Sequence, residues 1–305
     1  MPSLSIKEAA AKIRSGGLVA FPTETVYGLG VNALDAAAVQ KIYEFKGRPT
    51  ASPLIVHVAS IEMAREIVAD WPPLAEELAR KWWAGPLTLV LPKKPAIPDI
   101  VTAGLPTVGV RMPNHPLALE LIAEAGVPIA APSANRFTEL SPTTADHVRS
   151  AFGDAAGNMI DVLDGGPCQV GIESTVVAIE NGVLKLLRPG MLSLGDLEAA
   201  TVQAPGAHPS PGMHPRHYSP RTRLLLVDHP RDLPDRCGAY VWRKKSGLTA
   251  RSVRMPEKPD GYAARLYAVL HELDWEGWPW IGVEAPPDTP AWAAIRDRLR
   301  RAAAR

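Results

Sequence analysis

Residues 204–220 read APGAHPSPGMHPRHYSP, with five prolines, two glycines and three histidines in one run. Each proline fixes φ and removes a backbone donor, so this run neither continues a helix nor pairs in a ladder. It reads as an extended, semi-rigid connector. It is the only compositionally biased segment, and no internal repeat accompanies it. Its position decides the architecture. A chain of 305 residues is long for one core and suits two domains. The expected division is 1–203, a linker over 204–222, and 223–305.

Outward toward the N-terminus, the signals alternate between helix and strand. Ser5 and Glu8 form a capping box ahead of Ile6, Ala9, Ala10 and Ile13, and Gly16-Gly17 ends that helix. Residues 18–21 (LVAF) are a short apolar run and predict a buried strand. Asp35 caps a helix carrying Val39, Ile42 and Tyr43. Residues 53–59 (PLIVHVA) predict the next strand, and Ser60 caps the helix after it. Runs at 87–91, 108–112, 127–131, 159–163 and 174–179 predict further strands. Asn181-Gly182 is a tight hairpin turn into 183–187. Helices among strands, with a late hairpin, predict an α/β domain with a mixed sheet. Outward toward the C-terminus the alternation resumes on a smaller scale. Strands are expected at 223–227, 239–242 and 280–283, and helices at 260–273 and 289–305, a small Rossmann-like α/β domain.

Composition excludes several classes. Hydrophobic residues make up 46% and charged residues 21%, with a net charge of +1, so no bulk attraction to nucleic acid or a membrane is expected. No apolar run approaches ~18 residues, and the start lacks a basic region followed by an apolar one. Cys168 and Cys237 are far apart and outside any C-x-x-C, so neither a zinc site nor a disulfide framework is expected, and a reduced, cytoplasmic location fits. There is no G-x-S-x-G, no H-E-x-x-H and no Walker A loop.

Four segments place polar groups where core strands end. Residues 22–30 (PTETVYGLG) follow a strand and hold small residues; they read either as a glycine turn with capping threonines or as a loop approached closely by a ligand. Lys46-Gly47-Arg48-Pro49 ends a helix, where cations either complete the helix dipole or grip a polyphosphate. Residues 131–135 (APSAN) follow the 127–130 run, at the strand edge where open α/β sheets bind ligands; Ser141-Pro142-Thr143-Thr144 then caps a helix. Asp164-Gly165-Gly166 and residues 171–177 (GIESTVV) bring Ser174 to the head of a strand whose partner ends at Arg188, which places Arg188 near Ser174. His57 and Arg111 stand alone inside apolar strands. A lone strand histidine is usually a satisfied structural group, but a buried guanidinium must have an anion or an acidic side chain beside it.

In order along the chain, FPTETVYGLG, KGRP, PLIVHV, GVRMP, APSAN with SPTT, GGPCQVGIESTVV, LLRPG and PGMHPRHYSP closely resemble the threonylcarbamoyl-AMP synthase family. The resemblance is to its long form and is strong over about residues 8–222. It implies a YrdC-like mixed twisted sheet with flanking helices, a linker, and a small Rossmann-like α/β C-terminal domain. It also implies that Lys46, Arg48, Ser133 and Asn135 surround the nucleotide phosphates. Thr23, Tyr27, His57, Arg111 and Ser174 match the threonine side, and Ser141, Arg188 and Tyr218 the nucleotide side. Two departures stand out: Thr138 replaces a frequent glycine after the S-A-N-x-F segment, and Ser52 replaces a usual asparagine.

The implied partners are ATP with Mg²⁺, L-threonine and bicarbonate, with the adenylate handed to tRNA-modifying transferase proteins. No membrane is involved. Threonine's amine captures inorganic carbon, and the carbamate attacks the α-phosphorus of ATP, chemistry that runs on positioning and charge stabilisation. Two rivals remain in view. A related carbamoyl-transfer protein would add zinc-finger cysteine pairs and an acylphosphatase-like part, which this chain lacks; a non-enzymatic RNA-binding module fits poorly with a net charge of +1. Within the linker, His214, Arg216, His217 and Tyr218 suggest a strap that closes on the ligand, against the alternative of a plain spacer.

Overall fold

A computed structural model of the chain describes residues 4–153, 159–193, 195–197 and 217–304. The expected boundary at 203 and 204, most of the proline-rich run, and with it His214 and Arg216, lie outside the described residues. The large sheet holds β1 (Leu18–Phe21), β2 (Gly28–Asn32), β3 (Ile55–His57), β4 (Leu87–Pro92), β5 (Thr107–Arg111), β6 (Ile129–Ala130), β7 (Ile160–Val162), β8 (Thr175–Glu180) and β9 (Val183–Arg188). Their order is β7-β1-β2-β6-β3-β5-β4-β8-β9. The pairs β7/β1, β3/β5 and β4/β8 are parallel and the rest antiparallel, the mixed sheet expected.

Apolar groups lie on both faces of this sheet. On β1, Leu18 and Ala20 join a core with Val39 and Ile42, whereas Val19 and Phe21 join another with Ala9, Ile13 and Leu121. A strand covered on both sides reads as a continuous apolar run rather than an alternation. The helices that cover it start as the sequence dictates. In α1 (Ile6–Arg14), Ser5 and Glu8 form the capping box. Asp35 accepts from Ala37 N and Ala38 N to begin α2 (Ala36–Lys46), and Ser60 accepts from Met63 N to begin α3 (Ile61–Ile67). Asn181 and Gly182 have φ of 52° and 74°, the left-handed pair a tight hairpin turn requires.

One expectation needs correction. The structure does not make residues 22–30 a single loop, because β2 begins at Gly28. A Cβ on Gly30 would lie 2.7 Å from Phe21 Cε1 and 2.7 Å from Ile129 Cγ2. That glycine makes room for core neighbours, not for a ligand.

The second sheet contains β10 (Leu224–Val227), β11 (Ala239–Trp242), β12 (Arg251–Arg254) and β13 (Ile281–Glu284), all parallel, in the order β10-β13-β11-β12. It carries α8 (Pro259–Glu276) and α9 (Ala293–Ala303), which are numbered after α4 (Pro73–Trp82), α5 (Asp99–Thr102), α6 (Pro116–Ala125) and α7 (Ala145–Phe152). At the carboxyl edge, Glu284 Oε2 accepts from the successive amides of Arg243, Lys244 and Lys245 at 2.6, 2.8 and 3.2 Å.

The two sheets also meet directly. Ile172, fully buried, belongs to the core of the smaller sheet together with Val26 and Leu140. A Cβ on Gly171 would lie 2.5 Å from the carbonyl oxygen of Ala263 on α8. His147 of α7 stacks on His271 of α8 with centroids 4.0 Å apart. Among the described residues no helix is long and apolar enough to cross a membrane.

Candidate active site

A pocket opens where β3, β5, the loop after β6 and the head of β8 converge. Its lining includes Thr23, Arg48, His57, Arg111, Ser133, Ser174, Arg188 and Tyr218 from the expected site residues, His217 from the expected strap, and also Glu173. Tyr27, Lys46, Asn135 and Ser141 are not on the lining and act from behind it.

His57 and Arg111 are register partners in the parallel pair β3/β5, which sets them side by side. Burial, then the charge of Arg111, pushes His57 down to about 3, so the ring is neutral. Its Nδ1 is buried without a partner among the described residues. Arg111 donates through Nε to Gly85 O at 3.2 Å. Its Nη2 lies 2.7 Å from Glu24 Oε2, both side chains being buried. That contact is electrostatic rather than an aligned hydrogen bond, since neither Glu24 oxygen nor Arg111 Nη2 has an aligned partner among the described residues. Glu24 is thus the acid that a buried arginine demands. It lay within the quoted 22–30 segment, but nothing local in the sequence pairs it with Arg111.

The hydroxyl of Thr23 is occupied by its own turn. It donates to Val26 O at 2.6 Å, accepts from the amides of Thr25 and Val26 at 3.2 Å each, and touches Thr25 Oγ1. Tyr27 donates to Gly166 O at 2.8 Å and accepts from Gly165 N at 3.2 Å, tying the 22–27 segment to the Gly-Gly loop. Ser174 Oγ lies 2.8 Å from Thr88 Oγ1 and accepts from Arg188 Nη2 at 3.0 Å, so Arg188 does stand beside Ser174. Arg188 also donates to Ser174 O.

On the other side of the pocket, α2 ends at Lys46, and Gly47 takes the left-handed cap at φ 62°. Lys46 Nζ donates to Ser133 O at 2.6 Å and to Asn135 O. The ammonium therefore staples the 133–135 loop to the helix end. Burial, then Arg48, lowers its pKa well below the usual lysine range. Arg48 donates to Ser52 O and Pro53 O at 3.4 and 3.1 Å. Asn135 turns its amide nitrogen to Arg136 O and Glu139 O, and its Oδ1 is buried without a partner among the described residues. Thr138 sits at φ 71°, the left-handed conformation its frequent glycine counterpart adopts without strain.

Ser141 Oγ donates to Glu173 Oε1 at 2.6 Å. Burial raises the Glu173 carboxyl, but the charges of Arg298 and Arg188 and the Ser141 bond outweigh it and leave the pKa lowered. Sequence reasoning did not find Arg298, because its contact with Glu173 spans 125 positions and leaves no local signal. The strap expectation rests mainly on residues outside the described ones; of its polar residues, His217 and Tyr218 are described and both line the pocket. Burial, then the charges of Arg48, Lys46, Arg188 and Arg298, pushes His217 well below its ordinary value. Tyr218 adopts φ 60°, a conformation tolerated at sites where strain is held by surrounding contacts.

A mixed-sheet α/β protein whose sheet edge gathers guanidiniums, hydroxyls and a neutral histidine, with a small parallel-sheet domain against one wall, is the class this fold and pocket define. The family model described as "Telomere recombination" (Sua5/YciO/YrdC) matches residues 11–190. The model described as "Threonylcarbamoyl-AMP synthase, C-terminal domain" matches residues 175–304. The chain is 48% identical to the threonylcarbamoyl-AMP synthase of Pyrococcus abyssi, across 97% of this chain and 93% of that protein. It is 41% identical to that of Bacillus subtilis, across 98% and 92%. A crystal structure of P. abyssi Sua5 complexed with L-threonine is similar over 98% of this chain and 94% of its own, with a TM-score of 0.89 and 39% identity. Full-length HypF in a phosphate- and nucleotide-bound form is similar over 62% of this chain but only 29% of its own, with a TM-score of 0.51 and 25% identity. The chain belongs to the threonylcarbamoyl-AMP synthase family, and the family is one of enzymes.

Proposed function

We propose that the chain converts L-threonine, bicarbonate and ATP into threonylcarbamoyl-AMP, pyrophosphate and water, as a nucleotidyltransferase that activates threonine for N6-threonylcarbamoyladenosine formation in tRNA. The observation that carries this reading is the pairing, within one pocket, of an amino-acid side and a phosphate side. His57, whose Nδ1 has no partner among the described residues, and Arg111 line one wall, and Arg48 and Arg188 line others. The similarity to a threonine-complexed structure supports the first side and the nucleotide-bound HypF the second.

In this reading Arg111 pairs with the substrate carboxylate through its terminal nitrogens, the fork geometry a carboxylate fits. The substrate hydroxyl falls to His57 Nδ1, since Thr23 and Ser174 already spend their hydroxyls on protein partners. The free amine takes up inorganic carbon, a carbamate oxygen attacks the α-phosphorus, and pyrophosphate departs. Arg48 and Arg188 hold the phosphates and the charge developing on them, with Ser133 on the same side, while Lys46 and Ser141 brace that wall from behind. Holding reactants in line supplies roughly 7–11 kcal/mol of such a barrier, with no covalent enzyme intermediate needed.

Mg²⁺ enters this proposal with ATP. Among the described residues no group of three His, Cys, Asp or Glu side chains could hold a metal ion by itself. On the pocket lining the Ser133 hydroxyl suits a hard cation carried by phosphates, and Asn135, whose Oδ1 is buried without a partner among the described residues, braces that loop from behind. When bound, the ion neutralises phosphate charge. The adenylate is prone to hydrolysis and must pass to a tRNA-modifying transferase. Pyrophosphate release that requires threonine and bicarbonate together tests the proposal. Release that ignores either one, or none at all, overturns it.

A further inference from the structure

Arg298 belongs to α9 of the smaller sheet, yet its side chain is 0% exposed and ends among parts of the pocket wall. Its Nε donates to Glu173 Oε2 at 2.8 Å and its Nη1 to Pro189 O at 2.9 Å. Its guanidinium carbon lies 5.2 Å from the ring centroid of Tyr218. Tyr267 of α8 donates to the same Glu173 carboxylate at 3.2 Å. Glu173 and Tyr218 both line the pocket, and Pro189 follows the lining residue Arg188.

Burying a guanidinium is expensive, and well-packed apolar side chains hold two surfaces together at lower cost. Adhesion between the two sheets therefore gives no reason for a charge at this point. What an apolar side chain cannot do is fix a carboxylate and the face of a phenol in one geometry. The contact also falls on residues of the pocket, while Ile172, Val26 and Leu140 already supply apolar packing against the smaller sheet.

We propose that Arg298 is a positioning residue for the nucleotide side of the pocket, so that the smaller domain completes the site by holding Glu173 and Tyr218 in place. Arg298 itself touches no substrate; it acts through those two residues. The inference rests on the proposed reading of this pocket as the site of adenylate synthesis.

The test compares Arg298→Met, Glu173→Met and the double variant with the full chain. Each single substitution takes a main partner from a buried charge and lowers Tm; the double removes both charges of the pair and regains most of it. Steady-state kinetics separate adhesion from positioning. The double variant is expected to keep a loss of about 30-fold or more in kcat/KM for ATP. Its threonine dissociation constant, by calorimetry, stays within about twofold of the full chain's. Arg298→Lys, which retains the charge and loses the planar fork, covers the case in which the single methionine variants do not fold, and shows the same loss. A double variant that regains wild-type ATP kinetics along with its Tm overturns the proposal, as does a loss confined to threonine affinity. If the unaltered chain makes no threonine-dependent pyrophosphate, the functional reading fails instead. ATP affinity of the double variant then still decides whether Arg298 shapes the nucleotide side.

Discussion

Arg111 and Arg298 are both buried, and their surroundings treat them differently. Arg298 gives its donors to Glu173, Pro189 and Asp297. Arg111 places only Nε on an aligned acceptor, Gly85 O, while its terminal nitrogens meet just the misaligned charge of Glu24. Buried donors are almost always satisfied in a finished fold. A saturated guanidinium has its full set of partners once the chain is folded. An unsaturated one on a pocket wall has capacity left for an anion from outside.

The largest expected effect tests that contrast directly. Arg111→Met should remove threonine-dependent turnover at a cost toward the upper end of about 2–5 kcal/mol in kcat/KM. Stability also falls, because Glu24 is left buried alone; Arg111→Met with Glu24→Gln restores the Tm but not threonine use. Normal threonine kinetics in Arg111→Met would break the comparison. Arg48 is the intermediate case, with two donors on carbonyls and the rest of its fork at the pocket. Arg48→Ala should cost roughly 2–5 kcal/mol of transition-state stabilisation, seen mainly against ATP concentration, and near-normal turnover would remove it from the phosphate side.

On the Arg298 side, Gly171→Ala probes the seam without touching a charge. Its φ is +78° and the added methyl would meet the Ala263 carbonyl at 2.5 Å. The expected loss is about 3 kcal/mol in denaturant unfolding; an unchanged midpoint would mean the seam yields easily. On the Arg111 side, acid provides the probe. His57 falls from an ordinary 6.5 to about 3 on folding. The unfolded chain therefore takes up a proton as pH drops through 6.5 while the folded chain stays neutral. Its contribution is present above pH 6.5 and is lost below it at about 1.4 kcal/mol per unit until about 3. His57→Gln should flatten the acid limb of the unfolding free energy against pH by that slope. The smallest effect is at Thr138, whose carbonyl accepts from Ser219 N at 2.9 Å. Thr138→Gly relieves a left-handed φ and should raise stability by about 1 kcal/mol or less; a fall in Tm would show that the loop gains more from the threonine side chain than it loses to strain.

What was legible in the sequence was mostly local. Caps at Ser5, Asp35 and Ser60, the Asn181-Gly182 turn, and apolar runs such as 18–21 each carry their cause within a few residues. β2 escaped because glycines chosen to fit under Phe21 look like a loop. β12 escaped because its sequence, RSVR, buries only Val253. For the site, the rule that a buried arginine needs an acid anticipated the kind of partner Arg111 has, but not that it is Glu24. Four candidates, Tyr27, Lys46, Asn135 and Ser141, are off the pocket lining and brace it from behind, a distinction set by side-chain direction rather than residue type. The Glu173–Arg298 pair was illegible for a simple reason: each partner is ordinary until the two sheets are docked.

The carboxyl edge of the smaller sheet has a consequence of its own. Three successive amides after β11 turn toward one point, an arrangement that commonly cradles a phosphate oxygen. Here the oxygen belongs to Glu284, the last residue of β13. The chain has supplied its own anion to the crest where an open parallel sheet would receive a nucleotide. A phosphate arriving there would have to displace a tethered carboxylate at very high effective concentration. The smaller sheet thus closes its own carboxyl edge with a side chain of the same sheet.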